Sequence, residues 1–289
     1  MNNTETTKVA VVSGVTRGIG RAVALGLVER GYSLKVLARS EEAFEQLREE
    51  VLQRKASASL KLYLADLSLV ESTSRALSAL LSEGSEIDIL FQSAGLIPRA
   101  IEHTSEGIER TFAVSFLTRF QVARRLVPAM ARQGRGLFLN MAGAGQNGRV
   151  FFDDPNFRKT PFKPMKVVKQ FQQANDAMVM ALDEDFRGDG VRSFCLMPGL
   201  VDTGIHDSWP PALRFMMRNL MRPILMKSPE SAASVPLAIV DGALEPGSPL
   251  VGSNGETLRP SSALKTSSYR QQVRQMAEEL IERALPEDR

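Results

Sequence analysis

The chain has 289 residues, 43% of them hydrophobic, enough to bury one large core. Its 36 basic and 33 acidic residues nearly cancel, so no strong field for nucleic acid is implied. The one cysteine, Cys195, excludes a disulfide framework, and no apolar run reaches the roughly 18 residues needed to span a membrane. The polar start, MNNTETTK, does not read as a signal peptide. A reducing, cytoplasmic setting is therefore expected. No internal repeat or low-complexity tract is present.

Short β-rich runs alternate with helical patterns along the chain. KVAVVS (8–13) predicts a strand, and a helix follows from about Gly18. SLKVLA (33–38) predicts the next strand, before the charged helix EEAFEQLREEVLQR. SLKLYLA (59–65) leads into another helix, and IDILFQ (87–92) into a loop and a long helix around 108–131. GLFLNM (136–141) is a fifth strand, and a helix over 166–187 precedes VRSFCL (191–196), which buries Cys195. The tail predicts a final amphipathic helix over 265–284. Strands alternating with helices predict an α/β fold. It is a doubly wound, mostly parallel sheet of Rossmann type, with helices on both faces and ligands at the carboxyl ends of the strands. The whole of 1–289 is expected to form a single domain.

VVSGVTRGIGRAVALGL (11–27) joins the first strand to its helix, and Gly14, Gly18 and Gly20 have the spacing G-x-x-x-G-x-G. A tight turn, close approach of backbone to a pyrophosphate, and close helix–strand packing each require a missing side chain. The following helix N-terminus favours an anion. Gly14, Thr16, Arg17, Gly18, Ile19 and Gly20 are thus the expected phosphate loop; the alternative is a glycine-rich turn without a ligand. The second strand ends in LARS, where an NAD-selecting protein would place a carboxylate for the ribose. Arg39 stands there instead, with Arg17 in the loop. Two guanidiniums pair with a 2′-phosphate that a carboxylate would repel, which predicts NADP(H); two ordinary surface arginines are the alternative.

With these residues the chain resembles the short-chain dehydrogenase/reductase family over about residues 8–245. The resemblance implies that Asp66 and Leu67 contact the adenine. QSAG (92–95) stands where the family often has N-N-A-G, which adds Ala94 and Gly95 to the cofactor site. MPGLVDT (197–203) resembles its P-G-x-V-x-T segment, so Pro198, Gly199, Val201 and Thr203 are expected to close over the nicotinamide end. The spacing after NMAGAG, the QAN of 173–175 and the start of MKSPESAAS are most similar to the retinol-dehydrogenase-like branch.

The family's reaction uses a tyrosine as proton carrier and a lysine that lowers its pKa from about 10. A serine and an asparagine complete the tetrad. The resemblance puts Val168 at the tyrosine, Gln172 at the lysine, Gly143 at the serine and Ser115 at the asparagine. The only tyrosines are Tyr32, Tyr63 and Tyr269, so no slip of register supplies a phenol. A shorter spacing would put Asn156 and Thr160 in the pair's place, also without phenol or amine. Gly143, Val168, Gln172 and His206 are the expected substrate-pocket residues, with the small Gly143 and Val168 leaving room. No catalytic residue is assigned. His206, three residues past Thr203, reads as a replacement proton donor or a solvated loop histidine. Asp153 and Asp154 read as a turn or a catalytic pair, and nothing marks His103.

Residues 205–227 follow the closing threonine, with arginines every four residues and a methionine-rich opposite face. The segment reads as a substrate lid of about 204–228 over an apolar ligand, a packed surface helix, or a helix for a membrane surface or partner. Family resemblance also makes a homodimer or homotetramer possible through the terminal helix. The leading functional expectation is a repurposed enzyme of lipophilic small-molecule, biosynthetic metabolism. It would transfer hydride to an activated acceptor or shape a non-redox cyclisation. The rival expectation is a non-catalytic NADP(H)-binding sensor or partner subunit.

Overall fold

Each strand of the sheet is short and apolar, and successive residues turn to opposite faces. In the first strand, β1 (Val9–Ser13), Ala10 and Val12 join one core cluster and Val11 the other. The computed structural model describes residues 8–84, 86–199 and 227–285. The other strands are β2 (Ser33–Ala38), β3 (Leu60–Leu64), β4 (Ile89–Gln92), β5 (Gly136–Met141), β6 (Val191–Leu196) and β7 (Leu250–Val251). All pair in parallel, in the order β3-β2-β1-β4-β5-β6-β7. The order reverses between β1 and β4, which opens a crevice at their carboxyl ends.

On one face lie α1 (Gly18–Glu29), α2 (Glu41–Arg54) and a later helix; on the other lie α3 (Val70–Ser82) and the helices that carry the candidate site. Helix α2 starts where Ser40 Oγ accepts from Ala43 N at 3.1 Å, with Glu41 and Glu42 in its first turn to suit the helix dipole. Only Phe44, Leu47 and Val51 of this charged helix are buried, a single stripe.

The long helix expected around 108–131 is instead three pieces. A short α4 (Arg110–Phe112) begins where the buried Glu109 carboxylate accepts from Thr111 N (3.0 Å) and Phe112 N (2.7 Å). A π-helical turn follows over Ala113–Leu117, then α5 (Thr118–Arg132). The π turn changes which carbonyls are satisfied within the helix. Thr118 Oγ1 bonds Ala113 O at 3.1 Å, and the carbonyl of Ser115 is left for a side chain from the next helix. Phe112, Phe116 and Phe120 pack in series along this stretch, with ring centroids 5.1 and 6.1 Å apart.

Next comes α6 (Pro164–Phe186), then α7 (Pro229–Val240) and α8 (Ser267–Ala284). Ser228 caps α7, its Oγ accepting from Ser231 N at 3.1 Å. Gly26 lets α1 approach α7 closely: a Cβ there would lie 2.5 Å from Leu237 Cδ1. The apolar face of α8, with Val273, Met276, Ala277, Leu280 and Ile281, is buried within the chain. Arg270 on α8 donates to Leu264 O (2.6 Å) and pairs with Glu184, while Arg274 pairs with Asp185. Within the chain this helix packs chiefly against α6, with further contacts to α3. Cys195 is buried on β6, as its apolar context predicts. No described helix is long and apolar enough to cross a membrane.

Candidate functional site

The crevice between β1 and β4 is built by close approach of two loops. Ser93 N donates to Ser13 O at 3.0 Å, which draws the segment after β4 against the glycine loop. Gly14 has φ +71°, and a Cβ there would lie 2.2 Å from Ala94 N. A Cβ on Gly20 would lie 2.0 Å from Gly14 O. In both cases the obstacle is backbone, so only glycine fits. Gly18, at φ +58°, begins α1, and Ile19 is buried beneath it. Thr16 is half-buried, and Arg17 occupies the cap position with an extended backbone and an exposed side chain. The free N–H groups at the start of α1 suit an anion.

Arg39 is exposed at the end of β2. Neither Arg17 nor Arg39 has an ion-pair partner among the described residues, whereas nearby Arg21 is paired with Glu50, its Nε 2.6 Å from Oε2. Asp66 forms a tight turn after β3, its Oδ1 accepting from Ser68 N (2.9 Å) and Oγ (2.7 Å). Leu67 O is held by Thr118 Oγ1 at 2.8 Å. Ala94 and Gly95 follow β4 directly, and Gly95 is exposed. Pro198 and Gly199 follow β6, with Gly199 at φ +75° against Ser253. Val201, Thr203 and His206, and the expected lid up to residue 226, lie outside the described residues. At the far end of that segment, Lys227 Nζ donates to Ser253 O and Asn254 Oδ1, both at 2.6 Å.

Of the expected substrate-pocket residues, Val168 and Gln172 lie on α6. Gln172 lies against Gly143: a Cβ at 143 would sit 2.4 Å from Gln172 Nε2, and Gly143 has φ +76°. The room expected at Gly143 is therefore already filled by the Gln172 amide. Val168, one turn earlier on α6, is half-buried. Ser115 is bonded elsewhere: its Oγ accepts from Leu96 N at 3.0 Å, and its carbonyl accepts from Asn175 Nδ2 at 2.8 Å.

The alternative pair, Asn156 and Thr160, is committed to loop structure. Asn156 Oδ1 accepts from Glu109 N at 3.0 Å, and Thr160 N donates to Asp154 Oδ2 at 2.6 Å. Burial opposes the Asp154 charge, but the N–H groups of Thr160, Lys159 and Arg158 and the Thr160 hydroxyl outweigh it and hold the carboxyl down at about 2. FFDDPN is thus anchored by a turn, with His103 Nε2 2.9 Å from Asn156 O.

Two buried charged groups behind the site escaped the sequence reading. Arg119, on α5, donates through Nε to Ala94 O (2.8 Å) and through Nη1 to Asn140 Oδ1 (2.8 Å) and Met141 O (2.9 Å). It ties the ends of β4 and β5 together, and burial pushes its pKa down to about 10. Asn140 Nδ2 continues the network to Asn175 Oδ1 at 2.8 Å. Asp176 Oδ2 accepts from Gly145 N at 2.9 Å, and burial lifts this carboxyl to about 7 against the weaker pull of the Cys195 thiol and Gly145 N. Arg119 carries a faint signal, with Phe116, Val122 and Ala123 one turn away on its helix, whereas Asp176 follows Gln172, Gln173 and Asn175 and carries none.

The comparisons with known proteins agree with this geometry. Residues 8–152 match the short chain dehydrogenase family. Polyprenol dehydrogenase of Mus musculus is 32% identical over 239 residues, covering 78% of this chain and 69% of that protein. Retinol dehydrogenase 13 of Homo sapiens is 26% identical over 236 residues, covering 78% of this chain and 70% of that protein. Among solved structures, L-sorbose reductase from Gluconobacter frateurii, complexed with NADPH and L-sorbose, superposes with a TM-score of 0.62 at 20% identity. That match covers 80% of this chain and 89% of the reductase. The crevice closed by Gly14 and Gly20, the strand order around it and these relatives lead to one assignment: the chain belongs to the short-chain dehydrogenase family, in its retinol-dehydrogenase-like branch.

Proposed function

We propose that the protein binds NADP(H) and acts on a lipophilic small molecule without the Tyr–Lys relay of its family. What supports this reading is the backbone around the glycine loop, taken with the residues that stand where the resemblance expects the relay. The loop admits only glycine at 14 and 20, while Gln172 lies against Gly143 and no tyrosine occurs between 64 and 268. Gly14, Thr16, Arg17, Gly18, Ile19 and Gly20 would hold the pyrophosphate end, and Arg17 and Arg39 the 2′-phosphate. Asp66, Leu67, Ala94 and Gly95 would flank the adenosine, with Pro198, Gly199, Val201 and Thr203 at the nicotinamide end. The cofactor supplies hydride chemistry when bound.

Valine cannot exchange a proton, and a carboxamide cannot supply the lysine's charge. Val168 and Gln172 would therefore bind and orient, and neither offers a strong acid to a reacting oxygen. That favours an acceptor needing little acid help, such as an iminium or a polarised alkene, or a non-redox cyclisation. A biosynthetic role for such chemistry follows as the favoured setting.

The test follows NADPH oxidation with panels of ketones, aldehydes, retinoids and polarised alkenes. Ordinary carbonyl reduction is expected to be absent or far slower than about 1 s⁻¹, a usual enzymatic turnover. Faster reduction would mean that another acid has taken the tyrosine's place, and His206→Ala would then be compared. NADPH binding with no turnover in any panel would favour the sensor or partner-subunit reading.

A further inference from the structure

We infer that the side-chain amide of Gln172 is the hydrogen-bond donor for a substrate carbonyl oxygen, and that the ligand it suits is an uncharged conjugated carbonyl compound. The inference rests on the cofactor-site reading above and specifies its substrate class.

The other polar residues of α6 from Gln170 to Asp176 are committed. Gln170 Oε1 accepts from Phe151 N (3.0 Å), and its Nε2 donates to Pro155 O (2.9 Å). Gln173 Oε1 accepts from Gly148 N (3.2 Å), and its Nε2 donates to Ser261 Oγ (2.9 Å). Asn175 bonds Asn140, Ser115 and Phe171, and Asp176 bonds Gly145. Gln172 alone in this run makes no hydrogen bond to a described residue, although it is half-buried. These are the groups that fold the helix against its loop; Gln172 is not needed for that.

Its place is set by Gly143. The amide nitrogen sits 2.4 Å from where a Cβ at 143 would be, so it fills the volume of that absent side chain. The backbone there offers little in its stead. Ala142 N and Gly143 N both donate to Leu196 O, at 3.2 and 3.1 Å, and Gly145 N is taken by Asp176. The Gln172 amide is thus a donor presented at the end of β5 with no internal acceptor among the described residues. Preorganised amide donors of this kind stabilise charge that develops on an oxygen. Being neutral, the amide polarises without giving up a proton. A carbonyl conjugated to an alkene benefits, because polarisation at oxygen reaches the distant alkene carbon. An iminium, a cation with no acceptor oxygen, does not.

The test uses the full chain saturated with NADP⁺, which cannot reduce the ligand, and a medium-chain enone carrying ¹³C at its carbonyl. Infrared difference spectra report the carbonyl stretch, and titration reports affinity. Wild type is expected to lower the stretch relative to the same enone in an aprotic solvent. Gln172→Met, which keeps the bulk and loses the donor, is expected to reverse that shift and to weaken binding about tenfold. Gln172→Asn, which withdraws the amide by one methylene, is expected to behave likewise. An unchanged stretch and affinity in both variants overturns the inference, and the cofactor reading survives if NADP⁺ still raises their melting temperature. No saturable enone binding by NADP⁺-loaded wild type also overturns it. A wild type that binds no NADP⁺ removes the premise together with the inference.

Discussion

Asp176→Asn is expected to stabilise the protein, increasingly so as pH rises. The carboxyl is buried, with Oδ1 lacking a hydrogen-bond partner, and burial raises its pKa from 3.8 to about 7. The groups facing it include the Cys195 thiol on β6, itself pushed up and neutral. Below pH 3.8 both folded and unfolded chains carry the proton, and the site has no pH-dependent cost. Between 3.8 and 7 the unfolded chain ionises while the folded one holds its proton, so stability falls as pH rises. Above 7 the loss is complete and amounts to roughly 4 kcal/mol, from about three pKa units at 1.36 kcal/mol each. Asparagine keeps the acceptor for Gly145 N, offers an N–H₂ group towards Cys195, and never ionises. The stability difference between variant and wild type should therefore grow by roughly 2–3 kcal/mol from pH 5 to pH 8.5. Urea unfolding at pH 5, 7 and 8.5 measures it. Parallel pH profiles for the two proteins would refute the reasoning, because they would mean that Asp176 titrates in the fold as it does in water.

Arg39→Asp should weaken NADPH by about tenfold to a hundredfold, the loss of a charge-assisted contact, and leave NADH little changed; thermal shift with each nucleotide reads this. Equal binding of both nucleotides by wild type would defeat the phosphate argument. Gly14→Ala puts a Cβ 2.2 Å from Ala94 N at φ +71°, so a stability loss of roughly 3–5 kcal/mol and loss of nucleotide binding are expected in denaturant titrations and thermal shift. Gly143→Ser alone should destabilise by roughly 1–3 kcal/mol, because its Cβ meets Gln172 Nε2 at a positive φ; near-neutral unfolding data would contradict the packing described. Combined with Val168→Tyr and Gln172→Lys, it should give measurable NADPH-dependent reduction of an apolar aldehyde, within the ~10²–10⁴-fold that acid–base assistance supplies. A folded, NADPH-binding triple variant with no gain would show that more than the relay has been lost.

Local pattern determined much of this protein. The runs 33–38, 136–141 and 191–196 became strands with those bounds, because short apolar runs between turns suit strands buried on both faces of a parallel sheet. Gly14 and Gly20 were legible because a strand, a tight turn and a helix in close succession leave room for no side chain. Strand β7 was not legible: two residues, Leu250 and Val251, carry no period and are strand only because β6 offers them an edge. The π turn over Ala113–Leu117 was not legible either, since the partner that uses the Ser115 carbonyl, Asn175, lies 60 residues away. Partners 21–31 residues away in sequence likewise hid the Arg119 and Asp176 sites, whose properties come from burial between separate elements. In the sequence, Gly143 and Gln172 stand where the resemblance expects a serine and a lysine. Only the packing of α6 on the loop after β5 decided that the amide of one fills the space left by the other. A residue's type is local, whereas its dielectric surroundings and its partners are properties of the assembled fold.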